Sequence, residues 1–155
     1  MSDNLNLIKN NGNTRIYEKI NSFKVRLELE EITTTITAYD DNTDEEIGHI
    51  SLKKQISGKS YIDDISYLLY YISDFKKAYR RNGIAETIIK MFIDNGFKPI
   101  WARNPYAQRS EFGEEDCSYL VDNGPAFVVS LAKKGLLTYE GQSDDNQYDN
   151  DFNCM

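Results

Sequence analysis

Val25, Leu27 and Leu29 alternate with Lys24, Arg26, Glu28 and Glu30. That period of two predicts a half-buried strand. Thr33 to Tyr39 is rich in β-branched residues, which pack well on a pleated surface. Asp40-Asp41-Asn42-Thr43-Asp44 is a turn cluster, because Asp and Asn side chains bond their own backbone. Glu46 to Leu52 reads as the returning strand, so the three runs predict an antiparallel meander. Tyr61 to Ile72 is dense in Ile, Leu and Tyr without alternation, as a central strand buried on both faces requires. The period then changes. Ile84, Ile88, Met91 and Phe92 fall at i, i+4, i+7 and i+8, one face of a helix, and Asn95-Gly96 ends it. Pro99 to Arg103 predicts a short strand with proline only at its start. Asp122-Asn123-Gly124-Pro125 reads as a second helix start. Ala126 to Lys134 is its body and Gly135 its cap.

The ends of the chain are less patterned. Met1 to Asn13 is polar and Asn-rich, a loose lead-in. Arg15 to Ser22 fits a strand or a short helix equally. Asn104 to Asp122 shows no clear period. From Glu140 onward there is no Lys or Arg, and the composition is that of a disordered segment. The expected division is a lead-in over 1–22, one domain over 23–138 and an acidic tail over 139–155.

Composition narrows the classes. At 155 residues and 40% hydrophobic, the chain can bury a real core in one domain. No apolar run approaches the roughly 20 residues of a membrane span, and the start lacks the pattern of a signal peptide. The expectation is a cytoplasmic protein with no membrane partner. Two cysteines and one histidine cannot build a typical zinc site, so no metal is expected. Cys154 lies in the polar tail, which disfavours a structural disulfide and fits a reducing compartment. Cys117 as a nucleophile would need His49 as its base. The net charge of −7 argues against a nucleic-acid surface. It mildly favours a cationic acceptor such as an amine or a Lys-rich segment.

Tyr79-Arg80-Arg81-Asn82-Gly83-Ile84-Ala85 stands between the central strand and the first helix. The first amides of a helix lack internal partners and the helix dipole is positive there, so such a turn is an anion site. Gly83 lets the backbone approach a phosphate, Ala85 keeps the next turn slim and Arg80 adds charge. The pattern Arg-x-x-Gly-x-Ala resembles the pyrophosphate loop of the Gcn5-related N-acetyltransferases (GNAT), whose form is Gln/Arg-x-x-Gly-x-Gly/Ala. The order of elements from Phe23 to Leu137 is similar to that family as well.

The resemblance implies an α+β fold, with a mixed, mostly antiparallel sheet flanked by helices. It implies acetyl-CoA as cosubstrate and a primary amine as acceptor, either a small molecule or a protein amine. Pantetheine would pair with backbone near Tyr70, Tyr71 and Ile72, and pyrophosphate would lie on Arg81, Asn82, Gly83, Ile84 and Ala85 beside Arg80. On the last helix, Asn123-Gly124-Pro125-Ala126-Phe127-Val128-Val129-Ser130 lies over the family's Asn-x-x-Ala-x-x-x-Tyr. Asn123 takes the cofactor-side place, and Ser130 takes the place of the tyrosine that protonates the leaving thiolate. Serine is a poor acid, so Tyr106, Tyr119 or Tyr139 could substitute, or no acid is needed.

Three departures accompany the resemblance. The connection Ser73 to Ala78 is several residues longer than usual. The two acceptor-side helices after the first strand are missing, because Ile32 runs directly into Thr33 to Tyr39. The stretch between Trp101 and Asn123 is longer than usual. Neighbours on a strand face opposite sides, so at most one of Asp63 and Asp64 looks into the cleft, and by distance from the strand's end Asp64 is the expected general base. The alternative is a pair of solvated acids at a strand mouth. His49 is an alternative base, or a structural histidine. Tyr67, Tyr70 and Tyr71 line the cleft or belong to the core. Lys76 and Lys77 extend the basic patch. A non-catalytic GNAT-like CoA-binding or protein-interaction module is the competing expectation, and a small acidic interaction protein is the other. A homodimer is compatible with each.

Overall fold

The alternating and β-branched runs form strands, and they line up in the order in which they are written. A computed structural model of the chain describes residues 5–56, 65–105 and 124–142. The elements are β1 (Leu5–Asn10), β2 (Thr14–Lys19), β3 (Phe23–Glu30), β4 (Thr35–Asp40), β5 (Glu46–Ile56), β6 (Ile65–Ile72), α1 (Ile84–Asp94), β7 (Ile100–Ala102), α2 (Gly124–Lys133) and β8 (Thr138–Tyr139), with a 3-10 turn at Lys77–Tyr79. One eight-stranded sheet holds them in the order β1 to β8. Pairing is antiparallel from β1 to β6 and parallel for β6–β7 and β7–β8. The class is α+β, with a mostly antiparallel sheet and two helices among the described residues.

Both helices belong to crossovers between parallel neighbours that advance in one direction. The right-handed rule therefore places both on the same face of the sheet. Lys134 Nζ meets Glu86 Oε1 at 2.7 Å and joins them. The core is their shared interface with the sheet. Val25, Leu27, Leu29, Ile36, Ala38, Ile50, Leu52 and Leu69 from the strands pack with Ile88, Ile89, Phe92, Val128 and Leu131 from the helices. The predicted helix stripe Ile84, Ile88, Met91 and Phe92 is buried throughout. In β6, Leu68 and Leu69 are adjacent and buried at 3% and 1% exposure, so both faces are covered at its centre. The opposite face carries Arg26, Glu28, Thr37, Tyr39, His49 and Ser51, by the registers of β3, β4 and β5. β3 and β4 are joined by residues 31–34 alone, with no helix between them.

The lead-in expected over 1–22 is corrected for the described part. Residues 5–19 form β1 and β2, and β2 pairs with β3 from Thr14↔Glu28 to Lys19↔Phe23. Tyr17 is only 8% exposed and joins the core. The signal that marks this hairpin is Asn11-Gly12, a hairpin-turn dipeptide, with Gly12 at φ +83°. The edge position of β1 leaves Leu7 and Ile8 about half exposed, so its hydrophobic pattern is weak. The boundary placed at 139 falls inside a strand. Tyr139 belongs to β8, and the Glu140 N–H donates to Ala102 O at 2.9 Å. Residues 143–155 lie outside the described residues, as do Tyr61 to Asp64 at the expected start of the central strand.

Candidate anion turn and the open end of the central strand

The long connection from β6 to α1 is tied to the sheet at every step. Ser73 N–H donates to His49 O at 3.0 Å, and His49 N–H donates to Ser73 Oγ at 2.8 Å. Lys76 N–H donates to Ile47 O at 3.0 Å. Phe75 lies flat against Gly48, where a Cβ would stand 2.6 Å from its ring. Tyr79 meets Phe23 edge-on at 5.1 Å, and its hydroxyl donates to Asp40 Oδ2. Lys19 Nζ donates to Asn82 Oδ1. The chain thus walks back across the ends of β5, β4, β3 and β2. The glycine turn and the end of β6 share one end of the sheet but do not touch. At about 4.8 Å per strand they are roughly 10–20 Å apart.

Gly83 is the N-cap of α1 with φ +79°, and no side chain caps the helix. A Cβ there would meet open space, so glycine is needed for its backbone angle and not for close packing. Arg81 also has positive φ, +65°. The Asn82 side-chain amide donates to Tyr79 O at 2.9 Å and Arg80 O at 3.1 Å and holds the turn. The first acceptor of the helix is Gly83 O, which receives Thr87 N–H at 2.9 Å. The amides of Ile84, Ala85 and Glu86 therefore have no acceptor within the helix. Ile84 is buried at 3% exposure and presents backbone alone.

The expected basic patch is partly committed elsewhere. Arg80 Nε donates to Phe75 O at 2.7 Å, and Lys76 pairs with Glu45 at 3.0 Å. Arg81 and Lys77 are exposed and have no partner among the described residues. Glu86 is the acidic residue of the first turn. Burial pushes its carboxyl up, but hydrogen bonds from Lys134 and Lys90 outweigh this and hold it below the usual range. Asp40, 6% exposed, anchors the connection. The Tyr79 hydrogen bond holds its carboxyl below the usual range against the effect of burial, helped by the Asn42 and Thr43 amides. The same bond pushes the Tyr79 hydroxyl up to about 12.

The end of β6 is irregular. Leu52 pairs with Leu69 and Ser51 with Tyr71, so Tyr70 is an extra residue, a β-bulge. With β7, the paired residues are Tyr67↔Ile100 and Leu68↔Trp101. Beyond Leu68 there is no pairing to β7 among the described residues. Tyr70 lies under Lys53 Nζ at 5.4 Å, Tyr71 is 41% exposed beside the His49 ring at 5.5 Å, and Ile72 packs against the core.

Ser130 is exposed on α2 and lines an open cavity of about 610 Å3. Pro125, Ala126, Val129, Lys133 and Lys134 line it too. Asp64 and Asn123 lie outside the described residues, together with Asp63, Tyr106, Cys117, Tyr119 and Cys154. The described candidates fall into three places: the turn at 80–85, the β6 end at 70–72, and Ser130. A His49–Glu46 contact of 2.8 Å beside Tyr71 adds a pair that spacing along the chain does not reveal. No group able to hold a metal occurs among the described residues, and none of their helices is long and apolar enough to cross a membrane. Compared with known protein families, curated protein sequences and solved structures, the chain matches none of them.

Proposed function

We propose that this protein is an acetyl-CoA-dependent N-acyltransferase that transfers an acetyl group to a primary amine by direct attack. The supporting observation is that two features lie at the same end of the sheet. One is a β6 end that is bulged at Tyr70 and lacks β7 pairing beyond Leu68 among the described residues. The other is the glycine-capped start of α1. Ligands of open sheets with parallel crossovers bind beyond the carboxyl ends of the strands. Bulges re-aim backbone groups and are common beside active sites. In this reading the first-turn amides of α1 and the Arg81 guanidinium hold the pyrophosphate, and the backbone of Tyr70 to Ile72 holds the pantetheine. No helix stands between β3 and β4 to wall the acceptor side. The net charge of −7 suits a cationic acceptor.

A second reading keeps the ligand but not the turnover. The turn sits over β2 to β4, and Ser130, a poor acid, stands in the place of the proton donor. Both favour a CoA-binding or protein-interaction module without catalysis.

Calorimetric titration of acetyl-CoA into the wild type, Gly83→Trp and Arg81→Glu separates these readings. Tight binding to the wild type, lost in Gly83→Trp and weakened about tenfold or more in Arg81→Glu, is expected, with far-UV circular dichroism unchanged. Release of free thiol with a panel of polyamines and Lys peptides then reports turnover. Binding without thiol release selects the second reading. A wild type that binds no acetyl-CoA removes both.

A further inference from the structure

We propose that His49, oriented by Glu46, takes the proton from the acceptor ammonium beside the bulged end of β6; this rests on the acyl-transfer reading. Residues i and i+3 of a regular strand face opposite sides. Glu46 and His49 nevertheless meet, with Nδ1 and Oε2 2.8 Å apart. The register shows why. Ala38 pairs with Gly48 and Tyr39 with Glu46, so Ile47 is an extra residue that returns Glu46 to the face of His49. A bulge in β5 therefore builds the pair, and the bulge in β6 lies beside it. Two such irregularities around one histidine are the arrangement found where a strand re-aims a working side chain.

The chemistry of the pair follows from its geometry. A carboxylate is an acceptor only, so a ring nitrogen 2.8 Å from it carries the proton. That leaves Nε2 as the lone-pair nitrogen of the neutral ring, and it has no partner among the described residues. The ring and the carboxylate are 31% and 49% exposed, so a substrate can reach them. The backbone of His49 is locked by both hydrogen bonds to Ser73. From β4 the ring faces Thr37, and one strand further it faces Glu28, which is held by Arg26 at 2.7 Å. From β6 it faces Tyr71.

The aromatic rings of this face also point to the place of the cation. Tyr39 carries Arg26 at 4.9 Å, Tyr70 carries Lys53 at 5.4 Å and Trp101 carries Arg103 at 5.6 Å. Tyr71 carries no such cation among the described residues, and it stands beside His49. An ammonium on the Tyr71 ring is within the kind of contact that holds amines. His49 Nε2 accepts one ammonium proton. The free amine attacks the thioester carbon, a C–N bond forms and the C–S bond breaks. The second amine proton ends on the CoA thiolate, and His49 returns its proton to solvent.

The chain has one histidine, so 15N NMR of labelled wild type reads its tautomer directly. The Nδ1–H form is expected, and an Nε2–H form overturns the proposal. His49→Gln is expected to lower kcat about 10²–10⁴-fold with the acetyl-CoA Kd unchanged. Added imidazole restores part of the rate in His49→Ala. Glu46→Ala, the positioning residue, loses the Nδ1–H preference and about tenfold in kcat. Full turnover by His49→Gln overturns the dyad alone. A wild type that fails to bind acetyl-CoA overturns the acyl-transfer reading and the dyad's role together.

Discussion

Two neighbouring residues with positive φ make the turn a matched test of backbone strain. Gly83 at φ +79° faces open space, so Gly83→Ala costs only the left-handed penalty, about 1 kcal/mol. Arg81 already bears that penalty at φ +65°. Arg81→Gly is expected to stabilise by about 0.5–1 kcal/mol. Urea midpoints of the two variants should move in opposite directions, and a shift in the same direction refutes the account. At Tyr79, the hydroxyl satisfies a buried carboxylate. Tyr79→Phe leaves Asp40 short of a donor and is expected to cost about 1–3 kcal/mol. The pH dependence follows from the two directions. The Asp40 pKa is lowered on folding, so its stabilisation is complete above the ordinary carboxylate range and fades as pH falls through the folded value. The Tyr79 pKa is raised, so its stabilisation is complete below about pH 10 and is lost as pH rises toward about 12. Stability against pH for wild type and Tyr79→Phe should differ in both limbs, and parallel curves would show that the bond contributes nothing.

Among the elements, the connection between β6 and α1 decides where the turn stands. Its length is plain in the sequence, from Ser73 to Asn82. Its route is not, because the route depends on contacts with residues 24 to 63 positions away, such as Ser73 with His49 and Asn82 with Lys19. Gly48 is the fixed point, since Phe75 occupies the space of its absent side chain. Gly48→Ala forces the ring away and is expected to cost about 1–3 kcal/mol. Hydrogen exchange should show the Ser73 and Lys76 amides opening faster in this variant, and unchanged protection there would mean that the connection is held by other contacts. The bulges belong to this scale as well. The returning run Glu46 to Leu52 and the continuous apolar run that ends at Ile72 predict strands, but one extra residue in each of β5 and β6 is a property of paired registers. No single run of side chains contains it.

At the scale of the whole fold, the described residues form one sheet with both of their helices on one face, and the hairpin β1–β2 is part of that sheet. Tyr17 reaches the core, whereas β1 lies at the edge with Leu7 and Ile8 half exposed. Tyr17→Ala is expected to cost about 3–5 kcal/mol. Deletion of residues 1–12 should cost clearly less, as measured by denaturant midpoint, and equal losses would show that β1 carries core stability. The sequence alone determined the strands β3 to β7, the two helices, the buried stripe of α1 and the glycine turn at its start. Each of these rests on local periodicity or on one residue's backbone freedom, and both are written in short stretches of chain. Tertiary structure alone decided that the β1–β2 hairpin joins the sheet beside β3, that the turn stands over β2 to β4, and that Glu46 faces His49. Those outcomes depend on register and on contacts between distant segments, which hydrogen bonding across strands selects and local pattern does not encode.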